Sequence, residues 1–392
     1  MGGLTAGSGG SSSLGPLTLV VNAGSTSLKA ALFEDTSDEP LWSIDEPEPA
    51  TADDRADDFA RMLGVAPRLT EVGVVGHRVV HGGARFDRPV VIDASVEAAI
   101  ADLEELAPLH NGAAFDGIEA ARSLGPSGVS HVAVFDTAFH RTMPLSAAAY
   151  GGPREWIDRG LVRYGFHGIS HEHAATATAE ILGRPLASLR LVTCHLGGGC
   201  SLAAIEDGRS IDTTMGFTPL DGLVMASRSG AVDPGLLFHL LRSGMTVDDL
   251  QHLLEMGSGL LGLSGISGDL RDVVHARDKG DERAALAVDV FVHRVAAGVG
   301  AMVASLGRLD ALVFTGGIGE HSAEVRARVV ERFAFLGALL DQDRNMAEPL
   351  DAEISAPGAA VAVVVVHARE ELAIARAARR LTSDGRPRGG VG

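Results

Sequence analysis

Each half of this chain begins with a strand–turn–strand unit, and that repetition limits the fold more than any other feature. "LTLVVNAGSTSLKAALF" runs from Leu17 to Phe33, and "LRLVTCHLGGGCSLAAIEDGRSIDT" runs from Leu189 to Thr213. Both set short β-rich runs around a turn of small or polar residues. A plain hairpin needs only a residue or two that tolerate positive φ, which Asn22-Ala23-Gly24 supply, so Ser25, Thr26, Ser27 and Lys29 call for a further reason. Recurrence of the unit suggests internal duplication. A third segment, "LDALVFTGGIGEHSAEVRARVVERF", reads as an apolar strand, a glycine turn and a helix, the arrangement at which phosphates and nucleotides dock. At 392 residues the chain exceeds one ordinary core, so two α/β domains are expected.

Charge and cysteine content narrow the function. With 33 basic against 51 acidic residues the net charge is −18, which argues against a sequence-independent grip on nucleic acid or an anionic membrane. An anionic substrate would have to be drawn in by individual arginines. The two cysteines, Cys194 and Cys200, provide no disulfide framework and, with His195 alone beside them, fall short of a zinc pattern. The apolar run "AAVAVVVVHA" is about half of what a membrane span needs and reads as a buried strand. "MGGLTAGSGGSSSLGP" (1–16) reads as a flexible extension rather than a signal peptide, and 383–392 as a loose tail. A reducing, cytoplasmic setting follows.

The candidate motifs are individually weak. Gly197-Gly198-Gly199 would let backbone amides approach an anion, or would simply form a bulged hairpin. Gly317-x-Gly319 is an incomplete dinucleotide fingerprint, and "GSTSLK" lacks the glycine and the helix of a P-loop. Arg78, at the end of "GHRVV", and Arg228, in "MASRSGAVDPG", sit in glycine-bordered segments from which a pair of guanidinium groups could clamp a phosphoryl group. His167 and His195 are candidate donors to phosphate oxygens. His171 and His173, two apart, do not share a helical face and receive no metal. Asp136 ends a buried strand, where a carboxylate needs a positive or hydrogen-bonded partner. Glu370 opens a helix, where its charge favours the dipole.

Together and in order, "VNAGSTSLK", "GHRVVHGG", "LAPLHN", "FDTAFH", "YGFHGISH", "HLGGGCS", "SRSGAVDPG", "GISGDLRDV", "FTGGIGEHS" and "REELAIA" resemble the motif set of the acetate kinases, over Leu17 to Leu381. The resemblance implies an α/β fold of two duplicated actin-like (ribonuclease H-like) domains, with the active site in the cleft between them. The N-terminal domain would be 17–150, completed by the C-terminal helix 371–382, and the nucleotide-binding domain 151–370.

It also implies reversible, magnesium-dependent transfer of the ATP γ-phosphoryl group to acetate, giving acetyl phosphate and ADP by direct in-line displacement, with manganese as a substitute metal. Arg78 would bind the carboxylate, Arg228, His167 and His195 would stabilise the transferring group, and Asp136 would hold the arginine or orient the substrate. Val80, Leu109, Phe166 and Pro219 would enclose the acyl methyl. Ser25, Thr26, Ser27 and Lys29 would face the phosphates from one side, with His195, Leu196, Gly197, Gly198 and Gly199 facing them from the other. Asp269, Leu270 and Arg271, with Gly317, Ile318, Gly319, Glu320 and His321, would form the adenosine side. Asn22 and Glu370 would hold magnesium through water. A cytoplasmic homodimer is expected, with neither nucleic acid nor membrane as partner.

Two positions depart from the family pattern: Gly198 and His321 each replace a usual Asn. ATP remains the favoured donor, with pyrophosphate the alternative. Rival readings are a propionate or butyrate kinase using the same machinery, and a non-catalytic actin-like nucleotide-binding protein.

Overall fold

A computed structural model describes residues 16–23, 27–47, 52–103 and 111–383. Expectations for Ser25, Thr26, Leu109 and most of the two tails lie outside the described residues, and for Ser27 only the backbone is described.

The first sheet contains β1 (Leu17–Ala23), β2 (Ser27–Phe33), β3 (Trp42–Pro47), β4 (Val72–Val79), β5 (Val90–Val91) and β6 (Ser130–Phe135). The second contains β7 (Arg190–Leu196), β8 (Cys200–Glu206), β9 (Arg209–Thr213), β10 (Ala311–Thr315), β11 (Ala352–Glu353) and β12 (Ala362–Val365). Their spatial orders are β3-β2-β1-β4-β6-β5 and β9-β8-β7-β10-β12-β11, the same arrangement written twice. In each, an antiparallel meander of three strands continues through two parallel neighbours and ends on a two-residue antiparallel edge strand. This is the duplicated actin-like α/β fold.

Burial of both sheet faces explains the apolar strand runs. On one face of the first sheet Leu17, Leu19 and Val21 meet Phe59, Met62 and Leu63 of the helix Ala52–Gly64 and Ala120 of the helix Asn111–Leu124. On the other face Val20, Val74, Val132 and Val134 meet Leu372, Ile374, Ala375 and Ala378 of the C-terminal helix Glu370–Ser383. The second sheet is covered by Phe291, Val295 and Val299 of the helix Glu282–Leu306, and oppositely by Ala174, Ala175 and Ala179 of the helix Gly168–Ile181. Glu282–Leu306 is long and apolar enough to cross a membrane, but here it packs in the second core.

The first long helix after β6, Gly168–Ile181, therefore covers the second sheet, and the helix that follows β12 covers the first. Each half closes the other. The two helices also touch, with Ile169 joining the C-terminal helix in one apolar cluster.

Local signals behave as their chemistry predicts. Asp93 caps the helix Ala94–Asp102 by accepting from the Ser95 and Val96 amides. Asp207 and Gly208, with φ of 52° and 77°, turn β8 into β9.

Candidate active site

The parallel strands of both sheets direct their carboxyl ends to one region, where ligands of open α/β sheets collect. Register places Val21 beside His77 and Arg78 beside Val134, so Asn22, Arg78 and Asp136 gather where β1, β4 and β6 end. Arg78 donates to Asp136 Oδ2 from Nη2 at 2.6 Å and from Nε at 3.1 Å, and from Nη1 to Asn22 Oδ1 at 3.1 Å. Glu370 Oε2 lies 3.7 Å from Arg78 Nη1. Asn22 Nδ2 donates to Glu371 Oε1 at 2.9 Å, which ties the first residues of the C-terminal helix to β1.

Burial works against the charge of all three ionisable groups. It pushes Asp136 above the ordinary carboxylate range while Arg78 pulls the other way. For Glu370 burial also acts upward, but Arg78, His195 and Lys29 outweigh it and hold the carboxyl below its usual value. Asp136 and Glu370 in turn keep Arg78 protonated despite desolvation. The partner that Asp136 requires is thus Arg78.

The second sheet supplies a different set. His195, penultimate in β7, lies beside Thr315 of β10. Its Nδ1 is 2.8 Å from Ser170 Oγ. His167 adopts left-handed backbone, φ 57°, at the start of the helix Gly168–Ile181, a conformation that costs a non-glycine residue of order 1–2 kcal/mol. Its ring is held 4.3 Å from that of His195, centroid to centroid, with Nδ1 2.9 Å from Ser201 Oγ. Burial, then the arginines Arg78 and Arg228 and the neighbouring imidazoles His195 and His171, press His167 well below the usual imidazole range, and burial lowers His195. Both rings are neutral at pH 7.

Gly168 fixes the join between halves. Its amide donates to the Asp136 carbonyl at 2.8 Å, and a Cβ there would lie 2.2 Å from that oxygen.

Around the glycine turn the fit is equally close. A Cβ at Gly199 would lie 3.1 Å from the His167 ring and 3.9 Å from Arg228 Nη1. The loop carrying Arg228 is pinned to this turn by the Ala226 amide, which donates to the Gly198 carbonyl at 3.1 Å. Gly316, φ 77°, has its Cβ position 2.8 Å from the Leu196 carbonyl, so only glycine allows the start of the helix Gly316–His321 to approach β7.

Other candidate residues are placed differently. Lys29 turns to Asp45 at 3.0 Å, with Glu371 and Glu370 adding a longer-range pull. Asp269 caps the helix Leu270–Asp278 and pairs with the exposed Arg271. The side chains of Leu196 and Leu270 lie in the core. Ile318 packs against the same core, Glu320 is buried, and His321 is exposed, 3.6 Å from Glu348. Val80 and Phe166 are buried in one cluster, and Pro219 is half-buried. Ser170, Ser201 and Glu371 hold the key groups, and although they fall within "YGFHGISH", "HLGGGCS" and "REELAIA" the motifs assign them no role, because their partners are distant in sequence.

The donors around Arg78 are all oxygen: Asn22 Oδ1, Glu370, and Asp136 Oδ1, which is buried with no hydrogen-bond partner among the described residues. Hard oxygen donors suit magnesium. No group of three or more His, Cys, Asp or Glu is placed to cage a metal among the described residues, so the ion would retain water and phosphate ligands.

Known proteins with this pattern are consistent. Residues 51–376 match the Acetokinase family. An acetate kinase of Gloeobacter violaceus is 49% identical over 91% of this chain and 97% of its own length. The crystal structure of Porphyromonas gingivalis acetate kinase superposes with a TM-score of 0.84 at 35% identity, over 94% of this chain and all of that one (100%). That of a propionate kinase from Francisella tularensis gives 0.85 at 36% identity, over 93% and 99%. With the motifs, the duplicated sheets and these matches in agreement, the chain belongs to the acetokinase family.

Proposed function

We propose that this cleft carries out in-line transfer of the ATP γ-phosphoryl group to acetate, with the first half orienting the acceptor and the second receiving the moving charge. As a family member the chain is a phosphotransferase with a carboxyl acceptor, and its activity is that of an acetate kinase. The observation that supports the division of labour is that Arg78 is fixed at the end of the first sheet by Asp136 and Asn22, while Arg228 and His167 both border the Gly199 turn of the second.

Acetate is ionised at neutral pH, so its attack on phosphorus needs no base. One carboxylate oxygen bonds to Pγ as the bond from Pγ to the β–γ bridging oxygen breaks, and the electron pair leaves on ADP. Arg78, its guanidinium fixed by Asp136 and Asn22, presents N–H groups to the acceptor carboxylate without reorganising. Arg228 places positive charge beside the glycine turn, where the equatorial oxygens of the transferring group would lie.

His167 donates as a neutral ring. A hydrogen-bonded row runs from Thr193 Oγ1 to His171 Nδ1 (2.7 Å), from His171 Nε2 to Ser201 Oγ (2.8 Å), and from Ser201 Oγ to His167 Nδ1. The proton order Thr193→His171→Ser201→His167 leaves Nε2–H of His167 free to donate to a phosphoryl oxygen, and a bound anion selects that order. Asn22 and Glu370 would hold magnesium through water, and the ion would supply neutralisation of the phosphate charge. The two buried free thiols, Cys194 and Cys200, are in keeping with a cytoplasmic setting. The exposed Leu236, Phe238, Val247, Leu253 and Met256 on the helices Pro234–Arg242 and Val247–Met256 are in keeping with a homodimer.

Hydroxylamine trapping of the acyl phosphate tests the assignment across acetate, propionate and butyrate, with ATP, GTP and pyrophosphate as donors. The largest yield is expected with acetate and ATP. A maximum at butyrate, or with pyrophosphate, would replace that part of the reading.

A further inference from the structure

Glu320 falls within the glycine-rich adenosine motif, yet its side chain turns inward and is 4% exposed. Oε1 accepts from two backbone amides, Gly316 N–H and Ala368 N–H, each at 2.9 Å, and Oε2 lies 2.6 Å from His367 Nδ1. Gly316 begins the turn that lies against β7 and the Gly197 hairpin. Ala368 lies in the short link between β12 and the helix that opens with Glu370 and Glu371. One carboxylate thus joins the nucleotide-side turn of the second half to the segment that delivers two acids to the first.

The turn is held from its other end as well. Arg326, fully buried, donates from Nη1 to the Gly319 and Glu320 carbonyls at 2.9 and 2.6 Å, and from Nε and Nη2 to Asn345 Oδ1 and O, each at 2.8 Å. Every acceptor in these bonds is an uncharged oxygen, so the guanidinium serves as a rigid bracket for the end of the helix Gly316–His321. The bracket and the two amides accepted by Glu320 thus tie Gly316 to Ala368 through one carboxylate.

We infer that Glu320 is a positioning residue that couples nucleotide seating at Gly316 and Gly317 to the placement of Glu370 and Glu371. It acts by accepting from both backbone segments and not by touching the nucleotide. The inference rests on the proposed kinase reading for the identity of the nucleotide, while the coupling itself is a property of the protein alone.

Amide exchange on the full-length protein tests it. In the wild type, ADP with a chelator present is expected to slow exchange in peptides spanning Ala311 to Gly319 and Val366 to Glu370 together; slowing confined to the first overturns the coupling. Without nucleotide, Glu320→Ala is expected to accelerate exchange in both by about tenfold or more, and Glu320→Gln, which keeps an oxygen acceptor, by less than about threefold. Acceleration of one peptide alone, or of neither, refutes the inference. Kinetically, Glu320→Ala should raise the ATP KM and the half-saturating magnesium concentration in parallel, by about tenfold, leaving the acetate KM within about twofold. A rise in the ATP KM alone would assign Glu320 to direct nucleotide contact. If Glu320→Ala does not fold, the wild-type ADP experiment decides. If ADP does not bind, the kinase reading fails, while the exchange comparison of variants still tests the coupling.

Discussion

The two halves use one scaffold to hold opposite chemistry. Asn22 and His195 are each penultimate in the central hairpin strand of their sheet, β1 and β7. Around Asn22 the first half assembles full charges locked to one another, Arg78 with Asp136 and Glu370. Around His195 the second half assembles neutral imidazoles, glycine amides and one half-buried guanidinium. A paired guanidinium has a fixed direction and suits an acceptor whose charge does not change sign. Neutral donors respond most to charge that develops only in the transition state.

Substituting each arginine in turn separates these roles most sharply. Arg228→Ala is expected to lower kcat by about a thousandfold or more with a small change in the acetate KM. Arg78→Ala should instead raise the acetate KM by about a hundredfold and reduce kcat less. Steady-state kinetics in both substrates, with circular dichroism as a control for folding, checks the pair. If the two variants gave the same pattern, the division of labour between halves would be lost.

Acid should unfold the molecule through its histidines. Burial depresses His81, His131 and His140 to about 4. In the unfolded chain they titrate near 6.5, so the unfolded state binds more protons between the two values. Their contribution is therefore complete above about pH 6.5 and is lost as pH falls towards 4, by up to about 3 kcal/mol for each group. Urea denaturation from pH 7.5 to 4.5 should show stability falling across that window. His131→Gln should flatten the curve, and a profile unchanged by that substitution would remove this histidine from the account.

Smaller effects probe the second half alone. Ser201→Ala breaks the row that orients His167 and should reduce kcat by about tenfold, with the ATP KM nearly unchanged. Gly198→Asn restores the usual family side chain at a position where a Cβ meets nothing within 4 Å and φ is not in the left-handed range. It should tighten ATP by a few-fold and alter stability by less than about 0.5 kcal/mol, as calorimetric titration and thermal melting would show.

Features carried by local chemistry were legible in the sequence. The paired hairpins and the need of Asp136 for a cation depend on neighbours a few residues away or on the cost of burial. Features set by tertiary approach were not. Lys29 alternates onto the same strand face whether it meets a phosphate or Asp45, and register with β3 decides for Asp45. Glu320 sits among glycines typical of a ligand loop, but the β12 link passes behind it and offers an amide and an imidazole. Arg326 looks like any helix-surface arginine within "AEVRARVVE". Its burial depends on the helix Gln342–Met346, which brings Asn345 to its guanidinium.

The exchange of closing helices sets an order for biosynthesis. Val20, Val74 and Val132 remain uncovered on one face until Leu372 to Ala378 have left the ribosome, although the strands that bear them emerge first. The second sheet has its covering helix, Gly168–Ile181, before its own first strand is made. Synthesis of this chain thus finishes the later half ahead of the earlier one, and a nascent chain stalled before Glu370 would present an apolar valine surface to chaperones.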